Sequence, residues 1–186
     1  MSTTEEIKKE GEERILRILR RNQYYAVLKS GTNYIGDIHV SRGQMVEVKN
    51  VESTINIHEV YKCINDLRYL HRQDSQFKRA VLVSIKSNVA PTNKVLDRYK
   101  NGKFEEIDYS LLEEAHRNEH RDTKLSTPSE NAHFELCIID GERDITDRKL
   151  GQKLHAVLQY RRILQNCNPI SWCWKFAPSF AYNRIY

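Results

Sequence analysis

The run KRAVLVSIKS, residues 78 to 87, constrains this chain more than any other stretch. It is short, β-branched and almost continuously apolar, which suits a strand buried within a sheet rather than one with a wet face. The chain before it alternates between helical and strand patterning. From Thr4 to Asn22 it reads as a helix: Thr3 or Thr4 can cap it, and Glu5 and Glu6 suit its positive N-terminal end. Ile7, Ile15, Leu16, Ile18 and Leu19 form an apolar stripe at helical spacing, and Arg14, Arg17, Arg20 and Arg21 lie largely away from it. QYYAVLKSG, TNYIGDIHVSRG and QMVEVKN then read as three strands joined by short turns, which predicts a β-meander. From Asn56 to Arg72 the apolar residues Ile57, Val60, Tyr61, Ile64 and Leu67 again recur at three and four. The order up to the buried run is helix, three strands, helix, strand.

Beyond Ser87 the pattern predicts a short helix after Pro91, a charged helix in DYSLLEEAHRNEHRDTK and a loop in LSTPSENA. HFELCIID follows as a strand, and DRKLGQKLHAVLQYRRILQN as a long amphipathic helix. The aromatic tail PISWCWKFAPSFAYNRIY is expected to pack back on the domain. Residues 1–88 are read as a core and 89–186 as a C-terminal elaboration completing the same domain. The fold class is α/β (α+β).

The chain carries a net charge of +5 and a sequence pI of about 9.0, which leans towards a polyanionic partner such as nucleic acid. No run of about 18 apolar residues occurs, so no membrane span is expected. The polar start MSTTEEIKKEGEE lacks an apolar signal core, and an intracellular setting is expected. Cys63, Cys137, Cys167 and Cys173 are accordingly read as reduced, mostly buried thiols.

Charges interrupt two of the strands. Side chains alternate faces along a strand, so Val46 and Val48 point one way and Met45, Glu47 and Lys49 the other. In the preceding strand Ile35, Asp37 and His39 share a face opposite Ile38 and Val40. Pairing through the turn near Ser41 to Gly43 would set Asp37 beside Glu47 and Lys49. Two neighbouring carboxylates suit Mg²⁺ or Mn²⁺, hard cations that take oxygen ligands. Such a metal can hold a phosphodiester oxygen and activate water, and Lys49 can orient that water or neutralise the phosphate. A plain solvent-facing row of charges is the competing reading.

Asp37, nine intervening residues and then Glu47-Val48-Lys49 resembles the signature of the PD-(D/E)XK nuclease superfamily. The resemblance covers roughly residues 5 to 87. It implies a restriction-endonuclease-like αβββαβ core with a mixed central sheet flanked by helices, here followed by a C-terminal strand and long helix. It also implies metal binding by Asp37 and Glu47, with the Val48 carbonyl as a further ligand. Members often add a Glu from the first helix. Glu12 is the candidate, because Ile15, Leu16 and Leu19 follow it on one face, and this local pattern is similar to archaeal-type Holliday-junction resolvases. Gly36 stands where the family name has Pro. For the polar residue that many members carry on the next helix, His58, Tyr61 and Lys62 are all candidates, and the Gln-and-Tyr motif of RecB-like members is absent.

Other residues are weighed more briefly. Lys29, His39, Arg17, Arg21, His58 and Lys62 are candidate nucleic-acid contacts. His116 and His120 have metal-sharing spacing but read as a solvated helix face. An iron–sulfur cluster on the four cysteines is disfavoured by their spacing. Trp172 and Trp174 could stack on bases but read as core. The expectation is therefore a Mg²⁺- or Mn²⁺-dependent nuclease, with DNA favoured over RNA and dimerisation plausible. The alternatives are an RNA endonuclease of the same fold, or a catalytically inactive nucleic-acid-binding or assembly module.

Overall fold

A computed structural model describes residues 3–29, 35–41, 43–50, 55–85, 93–119, 133–141 and 144–159. In chain order the elements are α1 (Thr4–Arg21), β1 (Ala26–Leu28), β2 (Ile38–Val40), β3 (Gln44–Lys49), α2 (Ile57–Gln73) and β4 (Arg79–Ser84). Then come α3 (Lys94–Asp97), β5 (Glu105–Glu106), α4 (Tyr109–Glu119), β6 (Glu135–Asp140) and α5 (Asp147–Gln159). The predicted order of helix, three strands, helix and strand is the order found. Both long helices of the first half start in a reciprocal cap: Thr3 with Glu6 on α1, and Asn56 with Glu59 on α2.

The six strands form one mixed sheet in the order β1-β2-β3-β4-β6-β5. β1, β2 and β3 are an antiparallel meander, β3, β4 and β6 run parallel, and β5 closes the far edge antiparallel to β6. Helices cover both faces. Val46, Val48, Val81, Val83, Cys137 and Ile139 pack with Ile15, Ile18 and Leu19 of α1 and Leu150, Leu154 and Val157 of α5. The alternate residues Met45, Ala80, Leu82, Leu136 and Ile138 pack beneath α2, α3 and α4. A strand apolar on both faces, as β4 is, requires these two layers. The second half of the chain is integral to the sheet, since β6 lies between β4 and β5.

Two strand expectations change. The first strand begins at Ala26 rather than Gln23, because Gln23 has a φ of 64° and ends the helix in a turn. The second is confined to Ile38–Val40: Ile35 to Asp37 form a bend in which Gly36 has a φ of +73°, a left-handed conformation outside the extended region of a regular strand. Short β5 was not anticipated from the sequence. The loop LSTPSENA, His120, the end of the last predicted helix, Cys167, Cys173 and the tail with Trp172 and Trp174 lie outside the described residues. Among the described residues, no helix is long and apolar enough to cross a membrane.

Candidate active site

The charged row lies where β2 parts from β3. The last ladder pair there is Ile38 with Val46, and one further step would set Asp37 opposite Glu47 and Gly36 opposite Val48. In an antiparallel ladder alternate residues turn their amides to the same neighbour. Asp37 turns its carbonyl to β1, where it accepts the Lys29 N–H at 2.8 Å, so Gly36 would have met Val48. Gly36 bends away, and the Asp37 carboxylate takes that place: Oδ2 accepts the Val48 N–H at 2.7 Å. A proline could not supply the positive φ at residue 36.

Glu47 and Lys49 follow on β3, on the face turned towards α2. Glu47 is 3% exposed, and Lys49 Nζ lies 3.1 Å from its Oε1. The end of β3 is pinned by the Ile85 N–H, which donates to the Lys49 carbonyl at 3.0 Å. Glu12 arrives from α1 with 4% exposure, whereas Glu10 and Glu13 are exposed, as the apolar stripe predicts. Close approach of α1 depends on Gly11: a Cβ there would fall 2.5 Å from Asn50 Cβ. Asn50 in turn donates its side-chain amide to the Ile7 carbonyl, tying α1 to the residue after β3.

Lys8, one helical turn before Glu12, completes the cluster. Its Nζ lies 3.5 Å from Glu12 Oε1 and 3.5 Å from Asp37 Oδ1. Burial and the Asp37 charge push the Glu12 carboxyl up, against the pull of Lys8. Burial and Asp37 likewise push Glu47 up, against Lys49 and Lys62. Burial alone would lower the Lys49 ammonium, but Glu47, with help from Glu59 and Asp37, outweighs it and holds it above the usual lysine range.

Helix α2 borders the site with Glu59, Lys62 and Asp66, spaced three and four apart on one face. Lys62, exposed, pulls on Glu47 and Asp66 through its charge. Asp66 is pushed up first by burial and also by Asp37. The sequence reading passed over Asp66; its spacing from Glu59 and Lys62 is the signal that pointed to it. Of the other α2 candidates, Tyr61 is core, its hydroxyl pushed up to about 12 chiefly by burial, and His58 is exposed.

Not all candidates gather here. Arg21 is about 14 Å along α1 from Glu12 by helical rise, and it lines a cleft of about 540 Å³ with Tyr24, Gln44 and His155 at the start of β3. Arg17 is exposed on α1. His39 faces α2 but is committed to the Ile35 carbonyl at 2.9 Å and to the edge of Phe77, and burial pushes its imidazole down. His116 corrects the solvated-face reading: it is 1% exposed, edge-on to Tyr61 at 5.0 Å. Cys63 and Cys137 are free, buried and on opposite faces of the sheet, so they share no cluster.

Glu12, Asp37 and Glu47 offer only oxygen donors, the set that hard divalent cations take. The Lys8 ammonium between two of them shows that the cluster accommodates positive charge. Among the described residues no three His, Cys, Asp or Glu side chains are drawn together into a shell. Lys8 pairs with Glu12 and Asp37, and Lys49 with Glu47. No protein-family model matches the chain, and no curated protein or solved structure matches it either.

Proposed function

We propose that the chain is a Mg²⁺- or Mn²⁺-dependent nuclease with a restriction-endonuclease-like core, acting on DNA in preference to RNA. The observation that carries this reading is the meeting of Asp37, Glu47, Lys49 and Glu12 at one end of the sheet, with Asp37 anchored on the Val48 N–H. Glu12, Asp37 and Glu47 would hold the cation, with the Val48 carbonyl as a further oxygen donor. When bound, such a cation supplies neutralisation of phosphate charge and a lowered pKa for water.

The chain's own groups do the rest. Asp37 is aimed by its bond to β3 rather than by a flexible stem. Lys49, on a pinned strand, holds its ammonium where it orients water or meets the phosphate. Lys62 and the half-buried Lys29 flank the site as phosphate contacts, and the net charge of +5 favours a polyanion.

One observation favours a second reading, a binding module without catalysis: the Lys8 ammonium pairs with both Glu12 and Asp37. The deciding experiment incubates labelled single-stranded, duplex and four-way-junction DNA, and single-stranded RNA, with Mn²⁺, Mg²⁺ or EDTA. Cutting that needs metal and disappears in Glu47→Ala supports the nuclease and names its substrate. Salt-sensitive binding without cutting, equal in both proteins, supports the module.

A further inference from the structure

Lys8 is not an ordinary surface ion pair. Its side chain is 55% exposed, yet its two partners are carboxylates only 5% and 10% exposed, carried by different elements. It stands one turn before Glu12 on the same helix face, so the helix itself delivers its ammonium to the gap between Glu12 and Asp37. Three buried carboxylates, Glu12, Asp37 and Glu47, are accompanied there by two ammonium groups, Lys8 and Lys49.

We propose that Lys8 is a built-in counter-ion that a divalent cation displaces on entering the site. This rests on the metal-binding reading above and adds a regulatory element to it. A doubly charged cation between Glu12 and Asp37 would stand against the Lys8 ammonium, and like charges at that range repel. Lys49 is held on a strand by a buried partner. Lys8 has a long, mostly exposed stem and swings outward without moving the backbone. The ammonium thus holds the carboxylates in place in the metal-free protein and weakens metal binding by the amount of the contacts it gives up.

The test is calorimetric titration of Mn²⁺ into wild type, Lys8→Gln, Lys8→Arg and Glu47→Gln without nucleic acid, with unfolding temperatures in EDTA and in Mn²⁺. Lys8→Gln is expected to bind Mn²⁺ roughly threefold to tenfold more tightly, the scale of two half-exposed ion pairs. It is also expected to melt lower in EDTA and gain more on adding Mn²⁺, while Lys8→Arg follows the wild type. Lys8→Gln binding Mn²⁺ no more tightly, with wild-type binding lost in Glu47→Gln, overturns the counter-ion and leaves the metal site standing. No Mn²⁺ binding in wild type or in Lys8→Gln overturns both.

Discussion

The Asp37 carboxylate accepts the Val48 N–H at 2.7 Å, in the place where the backbone of β2 would have carried the ladder on. One side chain therefore serves as structure and as candidate ligand. The two roles separate by substitution. Asp37→Asn keeps an acceptor for the Val48 N–H, whereas Asp37→Ala leaves that buried donor without one, at a cost of about 1–3 kcal/mol. Asn should melt close to the wild type and Ala clearly below it, with metal binding lost in both. Equal melting of Ala and wild type in EDTA would show that Val48 finds another acceptor.

Glu47 should destabilise the metal-free protein at neutral pH. Its carboxyl is pushed above the ordinary glutamate value of 4.5, chiefly by burial and then by Asp37. A folded-state pKa above the unfolded one means that the folded protein holds more protons between those two values. Stability from this group therefore falls as pH rises through that window. Glu47→Gln removes the slope. In EDTA it should melt like the wild type near pH 4.5 and above it at neutral pH, by about 2–4 °C per kcal/mol relieved. A gap that is flat with pH would discard this account.

Much of this arrangement was legible because it is written in periodicities. Val46 and Val48 against Glu47 and Lys49 identify two faces of a strand, and Ile15 and Leu19 select Glu12 over Glu13. What stayed hidden is set by contacts between distant segments. The bend at Gly36 requires a φ of +73°, which alternation alone does not reveal, and it turns a predicted strand residue into a capping carboxylate. His116 has the neighbours of a charged, solvated helix in sequence, but α4 packs on α2 and buries it against Tyr61. The Lys8–Glu12 pair is local to α1, but its second partner, Asp37, comes only from the closure of α1 on the sheet.

That closure is testable at Gly11. In most helix interiors Gly→Ala stabilises by about 0.5–1 kcal/mol. At residue 11 the added methyl would meet Asn50 Cβ at 2.5 Å, with the Asn50 amide bound to the Ile7 carbonyl and so unable to retreat freely. Overpacking of this kind costs about 1–3 kcal/mol. Gly11→Ala should therefore melt lower, and it should weaken Mn²⁺ binding by lifting Glu12 away from Asp37. Glu10→Ala, exposed on the same helix, serves as the control and should do neither.

The two described cysteines supply a probe of the layers themselves. Cys63 is fully buried on the inner face of α2, and burial, followed by the nearby Glu47 charge, pushes its thiol well above the ordinary value. Cys137 lies on the opposite face, its thiol pushed up to about 12 mainly by burial. Alkylation proceeds through the thiolate and needs access to it, and both are suppressed here. Iodoacetamide at neutral pH, read peptide by peptide in a mass spectrometer, should leave both unlabelled in the native protein and label both in denaturant. Because Cys63 sits on the inner face of α2 and Cys137 on β6 against α1 and α5, each reports one layer. Labelling of Cys137 alone on Gly11→Ala would locate the disturbance on the α1 side of the sheet, and labelling of both would mean global unfolding.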